Sequence, residues 1–178
     1  MMTPPSAELP RPPWTCRLRA LCFLTRQGWR PTALAAVDYR QSPVGPYREA
    51  LVAFPTSPWS GRVPWIVVDD LASADAGRAW WNLPKQLADI TVVKERVSVR
   101  GPDADFQLTA TRLWPVAWIA IPGLLHQPER GRALVVFTGR LHIGLMTATG
   151  TLPAGVRPAR RVGFLLSGRL RIGPPRRP

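Results

Sequence analysis

The chain carries 24 basic side chains, yet only Lys85 and Lys94 end in an amine, the rest being arginine. That imbalance matters chemically. A guanidinium stays protonated at any accessible pH, whereas a lysine amine withdrawn from water can release its proton and become a nucleophile. Such an amine condenses with carbonyl compounds to give a Schiff base. Lys94 lies in Val92-Val93-Lys94-Glu95-Arg96, read here as the solvated middle of a strand, and is assigned no role. Lys85 lies in Trp80-Trp81-Asn82-Leu83-Pro84-Lys85-Gln86-Leu87-Ala88, where its neighbours are apolar or uncharged. A lone lysine beside tryptophan is more often a snorkelling surface residue, so nucleophilic chemistry requires a second element.

That element is Gly45-Pro46-Tyr47-Arg48-Glu49 and the apolar run that follows it to Phe54. Strand alternation puts Tyr47, Glu49, Leu51 and Ala53 on one face and Arg48, Ala50, Val52 and Phe54 on the other. If the first face is inward, Glu49 is a buried carboxylate that needs a partner, and it can serve as a general acid and base or anchor an active-site arginine. The remaining reactive types are less organised. His126 and His142 are isolated and read as structural or surface residues. Cys16 and Cys22 fall in one strand and suit neither a disulfide hairpin nor a four-ligand metal site, so they read as buried free thiols. No hydrolase signature, phosphate loop or dinucleotide fingerprint occurs, and neither a cofactor nor a metal is expected.

The elements that must position these groups are mostly strands. With 21 Pro and 14 Gly spread through 178 residues, long helices are hard to place, and the length suits one domain. Strands are expected at Arg17 to Leu24, Ala33 to Tyr39, Tyr47 to Phe54, Val63 to Val68, Ile90 to Arg100, Phe106 to Leu113, Val116 to Ile121, Ala133 to Thr138, Leu141 to Ala148 and Arg161 to Ile172. The helical prospect is Gly77 to Ala88, expected as a loop and a short turn of helix starting near Pro84. A Pro-rich segment, 1–13, and a basic tail, 173–178, flank the expected domain, 14–172, and both ends are expected to be mobile.

The net charge of +13 raises the question of nucleic acid, and no Asp or Glu follows Glu129. Against that reading, the arginines alternate with apolar residues, as in Gly168-Arg169-Leu170-Arg171-Ile172, and no RNA-binding signature is present. The field instead suits capture of an anionic small molecule. Residues 1–13 lack the architecture of a signal peptide, and Ala20 to Leu24 is too short for a membrane span. A cytoplasmic protein with no membrane partner and no specific nucleic acid is expected, and sheet edges offer a route to homo-oligomers.

The order Gly-Pro-Tyr-x-Glu, then Gly77-Arg78, then Leu83-Pro84-Lys85 with Leu87-Ala88, resembles the acetoacetate decarboxylase family, most closely between Tyr39 and Ile90. The resemblance implies a mainly β fold: a cone-like antiparallel β-barrel with an internal cavity and one short helix. It implies that Lys85 forms an imine with a small keto acid and that Glu49 is the second catalytic residue. Arg78 and Tyr47 would then bind substrate, with Trp80 and Trp81 as candidate pocket walls. Decarboxylation through the imine is the implied reaction, and the same iminium supports aldol or dehydration chemistry. Two positions depart from the pattern. Ala79 stands where the family commonly has an acid after Gly-Arg, and Gln86 stands where the founding decarboxylase has a second lysine, so activation of Lys85 would fall to desolvation. The alternative reading is a non-catalytic barrel that binds a small apolar or anionic ligand.

Overall fold

The computed structural model describes residues 9–127 and 131–176. Ten strands are joined in one sheet. The first four form consecutive hairpins: β1 (Trp14–Gln27), β2 (Arg30–Gln41), β3 (Tyr47–Ser57) and β4 (Ser60–Val68). The one α-helix among the described residues, α1 (Leu71–Trp81), leads to the short β5 (Lys85–Leu87), then β6 (Asp89–Val93) and β7 (Arg96–Arg100). Three long strands complete the chain: β8 (Asp105–Gln127), β9 (Gly131–Thr151) and β10 (Arg157–Ile172).

The sheet order is β5-β4-β3-β2-β1-β10-β9-β8-β7-β6, with a further pairing of β4 to β8. That pairing closes β4, β3, β2, β1, β10, β9 and β8 into a barrel-like ring, so the expected mainly β, barrel-like architecture is present. Neighbours are antiparallel except at two places. The β4–β8 closure is parallel and short, Ser60 opposite Leu124 and Gly61 opposite Leu125, and β5 lies parallel to β4.

Because successive strand residues face opposite ways, the sheet sustains two apolar clusters. Leu21, Phe23, Leu34, Ala36, Ala50, Val52, Trp65 and Val67 belong to one, with residues of β6, β7 and β8. Trp14, Cys16, Leu18, Ala35, Val37, Tyr39, Tyr47 and Val68 belong to the other, which also receives Ala74, Ala76 and Trp81 of α1. The second face is the one that carries Glu49, so the inward alternative of the alternation pattern holds.

Three local expectations are corrected. The helix precedes Pro84 and does not start there, because Asp70 caps its N-terminus by accepting from Ser73 N at 2.6 Å. It ends at Asn82, whose backbone is left-handed with φ 52°, and Pro84 follows as a stop signal. Lys94 is not mid-strand: with φ 53° it occupies the tight turn between β6 and β7. The two pairs of strands expected over 106–121 and 133–148 are each one continuous strand, with irregularities near Trp114 and Pro115 absorbed as bulges. At the other end of the sequence, the tail is tied down as far as Arg176, which exchanges backbone hydrogen bonds with Arg132, while Gly173 N donates to Leu134 O.

Candidate active site

Lys85 enters the site through a chain of local causes. The left-handed Asn82 turns the backbone out of the helix, Pro84 keeps it extended, and Lys85 then pairs with Ile66 of β4. Arg78 fixes that position from the helix. Its Nε and one terminal nitrogen both donate to the Lys85 carbonyl oxygen, at 2.9 and 2.5 Å, and the guanidinium also reaches Asp75 at 3.3 Å. The Lys85 side chain then runs back under α1 across Gly77. A methyl group at Gly77 would lie 2.6 Å from both Cδ and Cε of Lys85, which gives the Gly-Arg pair a physical meaning: one residue leaves room for the lysine stem and the next holds its backbone.

The amine meets Glu49 of β3 and Ser73 of α1. Lys85 Nζ lies 2.8 Å from Glu49 Oε2 and donates to Ser73 Oγ at 2.9 Å. The side chains of Lys85 and Glu49 are 4% and 5% exposed, so this is a buried ion pair. Such a pair persists only when its remaining hydrogen-bonding capacity is met. Tyr39 supplies part of it by donating to Glu49 Oε1 at 3.3 Å, and the Tyr47 ring lies 5.1 Å from Nζ as a cation–π partner. The two tyrosines occupy opposed positions in β2 and β3 and stack with ring centroids 4.4 Å apart.

Burial raises the ionisation of both phenols well above the usual tyrosine range, and the negative charge of Glu49 raises it further. They are therefore neutral hydrogen-bonding groups at working pH. The Cys16 thiol, also within reach of this charge pair, is pushed up to about 12, first by burial and then by Glu49, against the opposing pull of Lys85.

The structure thus brings Lys85, Glu49 and Tyr47 together. It gives the other expected residues different surroundings. Arg78, expected to meet substrate, engages the lysine backbone. Trp81 is buried in the apolar cluster, donates to Gly173 O at 3.0 Å and packs edge-on against Trp14. Trp80 is half-buried on the same cluster, and its indole N–H is buried without an acceptor. Ser73 and Tyr39 were missed from the sequence. A signal for Ser73 existed, since it stands four residues before Gly77 and so shares its helix face. Tyr39 had a fainter one: it continues the alternation of Ala35 and Val37 on the face that also carries Glu49.

The ring of strands with one helix laid against it is a fold that solved acetoacetate decarboxylases share. A solved acetoacetate decarboxylase from Legionella pneumophila superposes with a TM-score of 0.61 at 11% identity, over 98% of this chain and 90% of that one. A second acetoacetate decarboxylase structure gives 0.62 at 13% identity, over 98% and 93%. An acetoacetate decarboxylase-like enzyme from Sphingomonas wittichii gives 0.55 at 16% identity, over 92% and 91%. The sequence matches no protein-family model and no curated protein.

Proposed function

We propose that this chain is a Schiff-base-forming carboxy-lyase that acts on a small keto acid through Lys85. The observation that carries the reading is the buried contact of 2.8 Å between an amine and a carboxylate, in a fold shared with decarboxylases. An amine in that position has a proton acceptor in place: transfer of one proton from Nζ to Glu49 Oε2 yields a neutral nucleophile and a carboxylic acid without any group leaving the site.

The amine adds to the keto carbon, and the resulting carbinolamine loses water to give a protonated imine. In a β-keto acid the bond to the carboxylate then breaks, carbon dioxide leaves, and its electron pair moves into the iminium to form an enamine. The enamine carbon takes a proton, and water hydrolyses the product iminium to release the ketone and restore the amine. Glu49, against Nζ, is placed to carry the protons, while Ser73 and the two neutral tyrosines hold the amine and the carboxylate in register. The arginine-rich surface favours approach of an anionic substrate. Free Cys16 and Cys22 suit a reducing, cytoplasmic setting.

The test is trapping. Wild-type protein and Lys85→Met, both checked for folding by circular dichroism, are incubated with a panel of keto acids and borohydride and analysed by intact and peptide mass spectrometry. An adduct on the wild type alone, mapped to Lys85, is the expected result, followed by carbon dioxide release from the trapped compounds. Absence of any adduct across the panel would overturn the lyase reading in favour of a non-catalytic ligand-binding ring.

A further inference from the structure

Two tight hairpin turns carry tryptophan at their tips: Gly28-Trp29 between β1 and β2, and Pro58-Trp59 between β3 and β4. Because β2 and β3 are antiparallel neighbours, both turns lie at the same end of the ring. Glu49 and Lys85 pair with Val68 and Ile66, at the far end of β4 from its tip residue Ser60. Trp29 is 85% exposed and Trp59 67% exposed, the largest exposures among the described large apolar residues apart from the 69% of Trp118. An indole left in water on a two-residue turn adds little burial to its own fold.

Behind the tryptophans comes a band of arginines. Arg26 and Arg30 flank the first turn, Arg62 follows the second, and Arg157 stands opposite Arg26 in the neighbouring β10. Arg30 lies 5.5 Å from the Trp29 ring and Arg62 lies 5.7 Å from the Phe54 ring, so each charge is held against an aromatic face. A cleft of about 620 Å³ between the tips is walled by Trp29, Phe54, Arg30, Arg62 and His126. An adjoining, mainly apolar cleft of about 660 Å³ runs along Phe54, Trp59, Ile121 and Leu125.

The described carboxylates lie elsewhere. Asp38, Asp69 and Asp75 pair with Arg40, Arg48 and Arg78, and Glu95 pairs with Arg19. Glu49 holds Lys85, Asp103 accepts from Trp65, and Asp70 caps α1. Asp89 and Asp105 both stand opposite Arg100. The tip end therefore presents indoles outermost, arginines one step behind and no described acid among them.

We propose that this end docks on an anionic lipid surface, with Trp29 and Trp59 entering the interface and Arg26, Arg30, Arg62 and Arg157 lying at the level of the lipid phosphates. Indole rings partition to the boundary between headgroup and acyl chain, and arginines beside that boundary meet fixed negative charge. The order of the two layers favours a bilayer over a nucleic-acid strand, which would take its arginines outermost along a groove and its aromatics within it. The sequence-based expectation of no membrane partner weighed spanning segments, and neither turn is one. Docked in this way, the ring holds its Lys85 end toward solvent.

Vesicle flotation tests the proposal on the full chain. The probes are vesicles of phosphatidylcholine alone and vesicles in which a third of the lipid is phosphatidylglycerol. The expected result is binding to the anionic vesicles only, weakened by salt. Each of Arg30→Gln and Arg62→Gln should lower affinity about fivefold. Trp29→Ala and Trp59→Ala should each lower it about tenfold or more, with far-UV circular dichroism unchanged because both side chains are exposed. No flotation, equal flotation on neutral vesicles, or flotation insensitive to the tryptophans would overturn the proposal. So would displacement of the protein from vesicles by a single-stranded oligonucleotide that loses its own binding in the same tryptophan variants, or a wild-type dimer without lipid that becomes a monomer in those variants.

Discussion

Replacing Gly77 by alanine sets two effects of known sign against each other. Alanine is the better helix former by about 1 kcal/mol, so in an open helix the change would stabilise. Here the new methyl would lie 2.6 Å from Lys85 Cδ and Cε and 3.3 Å from Nζ. Carbon atoms in contact settle at about 3.5 to 4.0 Å, so the lysine stem must move by roughly 1 Å. The amine sits 2.8 Å from Glu49 and 2.9 Å from Ser73, and a shift of that size takes both contacts to the edge of hydrogen bonding. Loss of one partner from a buried pair costs about 3 to 5 kcal/mol. The helix gain does not offset it, and a net destabilisation of about 2 to 4 kcal/mol is expected for Gly77→Ala. Urea unfolding followed by circular dichroism measures it. Borohydride trapping on the same protein should fall about 100-fold, the penalty typical of a 1 Å misplacement. Ala79→Gly, on the exposed side of α1, is the control: it should cost about 1 kcal/mol and leave trapping unchanged. A Gly77→Ala protein at least as stable as the wild type, with trapping intact, would refute the argument that Gly77 exists to admit the lysine.

The other predictions concern the same cluster. Glu49→Gln leaves a buried amine without its counter-charge and should destabilise by about 3 kcal/mol, read from urea midpoints, and a loss below 1 kcal/mol would show that the pair is not closed to water. Ser73→Ala removes one acceptor from the lysine and one neighbour from α1, and is expected to cost about 1 to 3 kcal/mol while trapping at Lys85 persists. Arg78→Lys cannot place two N–H groups on the Lys85 carbonyl, so it should slow trapping more than it lowers stability. The chain has only two tyrosines, and both have their ionisation raised in the fold, mainly by burial and then by Glu49. Groups of this kind contribute stability that is fully present below the unfolded phenol value of 10 and is lost as pH rises beyond it. Phenolate absorbance should therefore appear together with the loss of near-UV circular dichroism, and phenolate forming near pH 10 in an intact fold would contradict the buried pair.

Strand identity was readable because alternation and β-branched enrichment are local properties, and Glu49 was readable as inward only once the face was known. Its partner was not, since period 2 assigns a residue to a face and says nothing about which distant side chain arrives there. Lys85 stood out by chemistry, as an amine in an arginine-rich chain, and not by pattern. The helix was misplaced for an identifiable reason: Pro84 is compatible with either a helix start or the stop that follows a left-handed cap, and Asn82 decides for the second. The β6–β7 turn was hidden because Lys94-Glu95 has no turn-forming residue, although Lys94 adopts φ 53°. Pro115 read as a break, yet it sits within β8 beside bulges. Arg78 was seen as charge to be offered to a ligand, when its geometry fits a carbonyl seven residues on.

The strand order also governs how the molecule can be made. The five strands β5-β4-β3-β2-β1 are neighbours in sequence as well as in space, and with α1 they hold every group of the Lys85 cluster. That half can zip together from short-range hairpins and the α1 crossover to β5 while the rest of the polypeptide is still emerging. β1 must then wait, because its other neighbour is β10, paired from Trp14 opposite Ile172 to Arg26 opposite Arg157. Until β10 arrives, a long apolar border made by β1 stays open to any stray strand, so the slow and aggregation-prone step of folding is the closing of the ring and not the building of its chemistry.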